Sequence, residues 1–434
     1  MFLRNIIQEH SAEATPLIQK EVNFLKNVSQ KHAAQSNIMD SVAEIGFLLQ
    51  TTMRELIEPI AGLRPKPNDI TEVLHLDRTQ SWRISRIMSD ECPYTVIYES
   101  PAPKGLGLII DAAVKAGAKK KNATAAREIV DRYDKLIHLF PEGRTGLEGA
   151  LASIVPKAKE TANKKARKQV SMGMSQLLGL RASVRYVSGI MVPSSQIDTK
   201  ADVVAVAGYI DLRRLRIGPS PTIFSGRSYT HTPAHLDPAV ETLDGDLDPD
   251  PRLRLLSEFG SVPAEALTLE TSGNELRLVL APDYPAINDP VTVFFGQRIA
   301  RSLDRHGVDG RTHEIVHHAP VLPAGINIFD TIIHKDLYSK AHPPRLTIER
   351  FGFNPITQSQ KPDDTSYRMD EQPEIMELGS GLKKVHTRIV PQLSEMLNSV
   401  FDRIGQDPNE YLVYRTTIEH LPPGFAVTVW IPLD

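Results

Sequence analysis

The side chains best suited to chemistry lie in a short polar run, residues 78–86. Arginine can donate two parallel hydrogen bonds to guanine, and glutamine can bond to both edge atoms of adenine. A threonine at the start of a helix could contact a phosphate together with the helix N-terminus. We expect Trp82, within the run, to pack in the core. The residues expected to point outward and contact DNA are Arg78, Thr79, Gln80, Arg83 and Arg86.

The residues just before this run predict a first short helix. Ile70, Val73 and Leu74 recur at spacings of three and four, which places them on one face of a helix. Asn68 or Asp69 could cap the start of that helix. The apolar face would then pack against the rest of an N-terminal helical region.

A tight turn and a second helix are predicted to follow. Leu76 would fill the turn, and Asp77 would cap the second helix by accepting a backbone N–H two or three residues later. Ser81 is small and lies where the two helices would approach each other. Ile84 and Ile87 would pack the second helix back onto the first. This arrangement leaves the polar run on the outer face of the second helix.

The segment of residues 69–88 resembles the helix-turn-helix of bacterial transcription regulators. The resemblance lies in the turn Leu74-His75-Leu76-Asp77-Arg78-Thr79, which leads into the second helix. The segment departs from that pattern at His75, where glycine is common and a left-handed backbone is easily adopted. The resemblance implies that the second helix enters the major groove of double-stranded DNA.

Composition limits the class of protein. The 434 residues are 41% hydrophobic and carry a net charge of −3, so DNA binding would require positive charge concentrated in one region. Two basic segments, Lys119–Lys121 and residues 157–168, could contact phosphates. The single cysteine, Cys92, rules out an intrachain disulfide and is typical of the cytoplasm. No apolar run is long enough to predict a membrane span.

The apolar patterns predict an α+β protein. We expect a helical helix-turn-helix domain over residues 1–104, helices for bracing or dimerisation over 105–182, and a β-rich α+β domain over 183–434. Residues 92–103 alternate in polarity and predict a short strand or wing. Strands are predicted over 184–193, 202–217, 275–282, 290–299, 326–337, 345–353 and 425–433.

One helical pattern is expected late in the chain. It runs from about Leu382 to Ile404, and Pro391 predicts a kink or a break within it.

A second constellation offers metal chemistry. His313-Glu314-Ile315-Val316-His317 matches the pattern in which two histidines four apart on a helix bind zinc and the glutamate activates water. Gly310 and Pro320 leave little room for a helix, so an incidental match on a strand or loop is favoured.

The resulting hypothesis is a cytoplasmic, sequence-specific transcriptional regulator. It predicts double-stranded DNA as the partner, a homo-oligomer, a possible small-molecule effector, and no membrane association. It assigns no catalytic residue, no metal site and no cofactor. The alternatives are a zinc-dependent hydrolase centred on His313, Glu314 and His317, or an interaction protein whose helix pair never meets DNA.

Overall fold

The chain divides into two compact units, each with its own core. The N-terminal unit comprises residues 1–162 and the C-terminal unit residues 163–434. The computed structural model describes residues 16–218, 221–227, 239–246, 250–272, 275–307, 312–338, 343–350, 368–369, 371 and 373–433. Within these ranges side chains are described from residue 38 onward, except those of residues 226, 227, 251, 253, 272, 275 and 276.

The described part of the N-terminal unit is helical. Proline occupies the first position of several of its helices, where its missing N–H removes no intrahelical bond. The helices are α1 (Pro16–Ala61), α2 (Pro67–Leu74), α3 (Arg78–Ser89), α4 (Pro93–Glu99), α5 (Pro103–Lys115), α6 (Lys120–His138), α7 (Arg144–Leu151) and α8 (Pro156–Leu178), of which α8 begins in this unit and ends in the other.

A single apolar core joins these helices, and it forces one close approach. Buried side chains of α1, such as Leu49 and Met53, share this core with those of α3 and α6. Gly46 on α1 lies against the backbone of Pro93, and a Cβ at this position would stand 2.2 Å from the carbonyl oxygen of Pro93. Only glycine therefore lets α1 and α4 pack at this distance.

The strand or wing predicted over residues 92–103 is wrong, because this segment contains the helix α4. Pro93 starts the helix, and Val96 and Ile97 are buried in the N-terminal core. The hydroxyl of Ser100 donates to the carbonyl of Val96 at 2.6 Å and closes the last turn. Burial of one helical face outweighs the alternating pattern that favoured a strand.

The C-terminal unit is built on β-sheets. One sheet has the order β11-β12-β9-β1-β2-β7-β4, and two three-stranded sheets have the orders β10-β13-β8 and β3-β6-β5. The strands are β1 (Leu180–Pro193), β2 (Lys200–Arg214), β3 (Thr222–Arg227), β4 (Ala239–Glu241), β5 (Leu267–Ser272), β6 (Glu275–Leu280), β7 (Val291–Asp304), β8 (His313–His318), β9 (Ala324–His334), β10 (Arg345–Arg350), β11 (Met376–Ser380), β12 (Tyr411–Glu419) and β13 (Phe425–Pro432).

Both faces of the seven-stranded sheet are covered. Alternate residues of β1 point to opposite faces. Tyr186 and Ile190 join a core with the helix α9 (Leu393–Arg403), whereas Val187 and Met191 join a core with β10 and β13. The middle strands β1, β2 and β9 are consequently buried almost throughout.

The α+β class is confirmed, and each of the seven predicted strands overlaps an observed one. Residues 351–353 of one predicted strand lie outside the described residues. The helix predicted from about Leu382 is confirmed only from Leu393 onward. The segment before Pro391 is not helical, so Pro391 precedes one helix and does not divide two. Among the described residues, no helix combines the length and apolar character needed to cross a membrane.

Candidate nucleic-acid interface

The turn between α2 and α3 is closed by a left-handed residue. His75 has φ 53° and ψ 37°, and its backbone N–H donates to the carbonyl of Thr71 at 2.9 Å. This conformation is the one that glycine adopts most easily, so a histidine here carries a conformational cost. Packing of Leu76 against the N-terminal core, which this turn makes possible, offsets the conformational cost.

The caps of the two helices differ in part from those predicted. Asp77 caps α3 as predicted, since its Oδ1 accepts from the backbone N–H groups of Thr79 at 2.8 Å and Gln80 at 2.9 Å. The cap of α2 is Lys66 rather than Asn68 or Asp69. The carboxylate of Asp69 instead accepts the backbone N–H of Lys66 at 2.8 Å.

Removing the Asp77 cap is expected to destabilise the N-terminal unit. The Asp77→Ala variant would leave two N–H groups of α3 without their acceptor, which typically costs about 1 kcal/mol. Thermal unfolding followed by circular dichroism at 222 nm measures this loss. Glu72→Ala removes the same charge from an exposed site on α2 and serves as the control. Equal losses in both variants would contradict the capping role.

The inner face of α3 is anchored to the core. Ile84 and Ile87 are fully buried, and so is Ser81, which accepts a hydrogen bond of 2.8 Å from the hydroxyl of Thr71 on α2. The amide of Gln50 on α1 donates to the backbone carbonyl of Ile87 at 3.2 Å. These contacts hold α3 at both ends and determine which of its faces reaches solvent.

The outer face of α3 carries most of the residues predicted to contact DNA. Arg78, Thr79, Arg83 and Arg86 are exposed, and Gln80 is half-buried. Residues 79, 83 and 86 follow one stripe of the helix at spacings of four and three. The structure therefore exposes four of the five predicted residues, all except Gln80, and aligns three of the four along one stripe.

Trp82 lies on this outer face, so the expectation that it packs in the core is wrong. Its side chain is 43% exposed. The guanidinium of Arg86 lies 6.0 Å from the ring centroid, and Nζ of Lys157 on α8 lies 5.4 Å from it. Trp82 thus supports two cations at the surface. No sequence signal connects Lys157 to α3, because the contact is made by a helix that starts far along the chain.

Two predicted roles require correction. The N-terminus of α3 already binds the Asp77 carboxylate, so the backbone of Thr79 is not open to a phosphate. Arg86 forms an ion pair of 3.3 Å with Asp90, which directly follows the end of the helix. Arg78 and Arg83, by contrast, have no carboxylate partner within the part of the chain that the structure describes.

The basic run at residues 157–168 is partly neutralised. Lys157 pairs with Glu99 at 2.7 Å in the N-terminal unit. In the C-terminal unit, Lys164 pairs with Glu419 at 2.8 Å, and Arg167 donates to the backbone carbonyl of Glu419 at 3.1 Å. These three cations stabilise the fold, which reduces the charge that the run could offer to phosphates.

The motif predicted as a zinc site lies on a strand. His313 and His317 belong to β8, which pairs with β13. Residues four apart on a strand are separated by about 13 Å, too far to bind one zinc ion together. The carboxylate of Glu314 accepts the backbone N–H of Asp304 at 2.9 Å and so has a structural partner. The expectation of a strand or loop in place of a helix is confirmed, and the segment is a strand.

The two adjacent histidines of β8, His317 and His318, are partly buried. Nδ1 of His317 lies 2.9 Å from the hydroxyl of Thr428, and burial lowers its pKa although Glu349 opposes this effect. Burial, Arg185 and His317 together lower the pKa of His318 to about 3. Both rings are therefore neutral at pH 7. Within the described ranges, no group of three or more His, Cys, Asp or Glu side chains is arranged to hold a metal ion.

Comparison of this chain with protein-family models, with curated proteins and with solved structures gave no match. The case for a function therefore depends on the geometry of α2 and α3 and on the side chains that they present.

Proposed function

We propose that this protein is a sequence-specific DNA-binding regulator that reads double-stranded DNA with α3. The observation that carries the proposal is the division of α3 into two faces. Ser81, Ile84 and Ile87 are buried on one face, while Arg78 and Arg83 reach solvent on the other. A helix held in this way can project arginines without losing its own packing.

The dimensions of α3 support this proposal. A helix of 12 residues is about 18 Å long, and the major groove of B-DNA is wide enough to admit a helix. Arg83 lies near the middle of α3 on its exposed face, and we assign its guanidinium to a base edge. Arg78 lies in the first turn, where a side chain would meet the phosphate backbone.

A homodimer would present two copies of α3 to a symmetric site, which multiplies specificity. The C-terminal unit would then serve in sensing, partner binding or assembly. The proposed location is the cytoplasm.

Selection from a random duplex DNA library, with the full chain as bait, tests the proposal. We expect one enriched motif. Arg83→Ala is expected to relax the preference at a single base pair and to weaken binding to the motif by about 1–3 kcal/mol, or roughly 5–150-fold. Arg78→Ala is expected to weaken binding to all sequences alike and to lower the salt slope by about 1. Fluorescence anisotropy over a salt series measures both effects.

The matched control is Lys135→Ala, which removes one positive charge from an exposed position on α6. Its affinity for the selected DNA should equal that of the unmodified chain. A library that yields no motif, or equal affinities for all four proteins, would exclude the proposed function and leave an interaction protein as the alternative.

A further inference from the structure

A cleft of about 420 Å³ lies beside α3 in the N-terminal unit. Its volume falls within the range of small-molecule sites. Arg83 contributes to the wall from α3, and the other walls come from α4, α7, α8 and the start of α5. The cleft thus adjoins the proposed reading surface and shares Arg83 with it.

One side of the cleft is held in place by Arg144. Its guanidinium donates to the carbonyl oxygens of Tyr98 and Ser100 at 3.0 Å each, and to the hydroxyl of Tyr133. Its Nε also pairs with Glu148 at 2.8 Å. Because Arg144 makes all these bonds within the unit, this side is preorganised and requires little ordering when a ligand binds.

The charges of the cleft point to an anion. The lining contains three cations and two carboxylates, which leaves one net positive charge. Lys157 is neutralised by Glu99 at 2.7 Å and Arg144 by Glu148. Among the described residues, Arg83 is the lining cation that lacks a carboxylate partner, so its guanidinium remains to bind a carboxylate or a phosphate.

The two paired carboxylates define the other end of the ligand. Glu99 and Glu148 each use part of their acceptor capacity on one cation, and a carboxylate has about four lone-pair sites. A ligand hydroxyl could donate to the sites that remain. We infer that the cleft binds a small, hydroxyl-bearing organic anion, with the acidic group on Arg83 and the hydroxyl groups toward Glu99 and Glu148.

A ligand in the cleft would also regulate DNA binding, a step that rests on the proposed function. The guanidinium of Arg83 cannot pair with the ligand in the cleft and with a DNA base at the same time. The ligand therefore weakens DNA binding, and DNA weakens ligand binding by the same factor. We expect this factor to be about 10, within the usual range of coupling between two sites.

Calorimetric titration of the full chain tests the cleft without DNA. The probes are glucose 6-phosphate and gluconate, which carry a phosphate and a carboxylate respectively, and glucose is the uncharged control. We expect at least one of the two anions to bind with a Kd of roughly 1 mM or lower and glucose not to bind. Arg83→Ala should abolish binding, whereas Arg78→Ala, on the same helix but outside the cleft, should retain it. Absence of binding by both anions at about ten times this concentration would overturn the inference.

Two blocking variants separate the cleft from the DNA surface. Ala102→Trp and Thr161→Trp add bulk from different walls at exposed positions. Both variants should lose anion binding and keep their affinity for the selected DNA. Adding the anion should no longer change that affinity. Anion binding that survives both variants would place the site elsewhere and contradict the inference. If the anion binds as expected but no DNA motif is found, the proposed function fails and the cleft stands.

Discussion

Replacing Asp330 with alanine is expected to destabilise the C-terminal unit by about 3–5 kcal/mol. Asp330 is 1% exposed and lies on the central strand β9. Its two oxygens accept from Arg415 at 2.7 and 2.6 Å, and the hydroxyl of the fully buried Tyr186 donates to it at 2.9 Å. Alanine would leave a largely buried guanidinium and a phenol without their acceptor, and the loss of charge pairing makes the effect large.

Tryptophan fluorescence can measure this loss for the C-terminal unit alone. The chain has two tryptophans, Trp82 in the N-terminal unit and the buried Trp430 in the C-terminal unit. In a Trp82→Phe background, urea unfolding reports on Trp430. Asp336→Ala, at an exposed carboxylate just after β9, is the control and should change stability little. A loss below about 1 kcal/mol for Asp330→Ala, typical of exposed ion pairs, would contradict the prediction.

Acidification is expected to destabilise the C-terminal unit through His318. Its pKa falls from the ordinary 6.5 to about 3 in the folded state, because of burial first and then the positive charge of Arg185 and the neighbouring His317. Between these values the unfolded chain binds more protons than the folded one, so stability falls as the pH drops below 6.5. At about pH 4.5 we expect His318 to lower the free energy of unfolding of the C-terminal unit by roughly 2 kcal/mol. This figure is reduced to account for solvent screening, because the ring is only partly buried.

His318→Phe is the variant that isolates this contribution. The ring of His318 packs 6.1 Å from that of Phe329 and beside Gly189, where phenylalanine can retain an apolar contact. Urea unfolding, followed by the fluorescence of Trp430, measures the stability of the C-terminal unit at about pH 7 and pH 4.5. The loss of stability between these pH values should be smaller in the variant than in the unmodified chain. The control is His138→Gln, which replaces an exposed histidine of α6. This variant should lose as much stability on acidification as the unmodified chain. Identical losses in all three proteins would show that other groups determine the acid sensitivity.

Local signals in the sequence were sufficient for much of the helix pair. The cap at Asp77, the small residue at Ser81 and the buried pair Ile84 and Ile87 depend on neighbours within about three turns of helix. The same holds for the strands β1 and β2 of the C-terminal unit, whose apolar runs are buried on both faces of the seven-stranded sheet. Capping and periodicity act over a few residues, so they can be recognised without the fold.

The polarity pattern failed over residues 92–103, because local preference and packing disagree there. The alternation over residues 92–103 favours a strand, but the core of the N-terminal unit buries Val96 and Ile97 on one face of α4. The histidine motif at residues 313–317 matches a helical zinc pattern, but Gly310 and Pro320 favoured a strand or loop, and pairing with β13 makes the segment a strand. In both cases the partner that decides the structure lies outside the segment, and short apolar runs do not identify that partner.

Tertiary structure alone decided which other side chains and which cleft adjoin the exposed face of α3. The sequence by itself determined that α3 would carry five polar side chains after a capped turn, because helical spacing is local. Contacts with distant helices decided the rest: Lys157 reaches Trp82 from α8, and a cleft forms beside Arg83. Those contacts depend on how helices far apart in the chain pack around one core, which no pattern within α3 encodes.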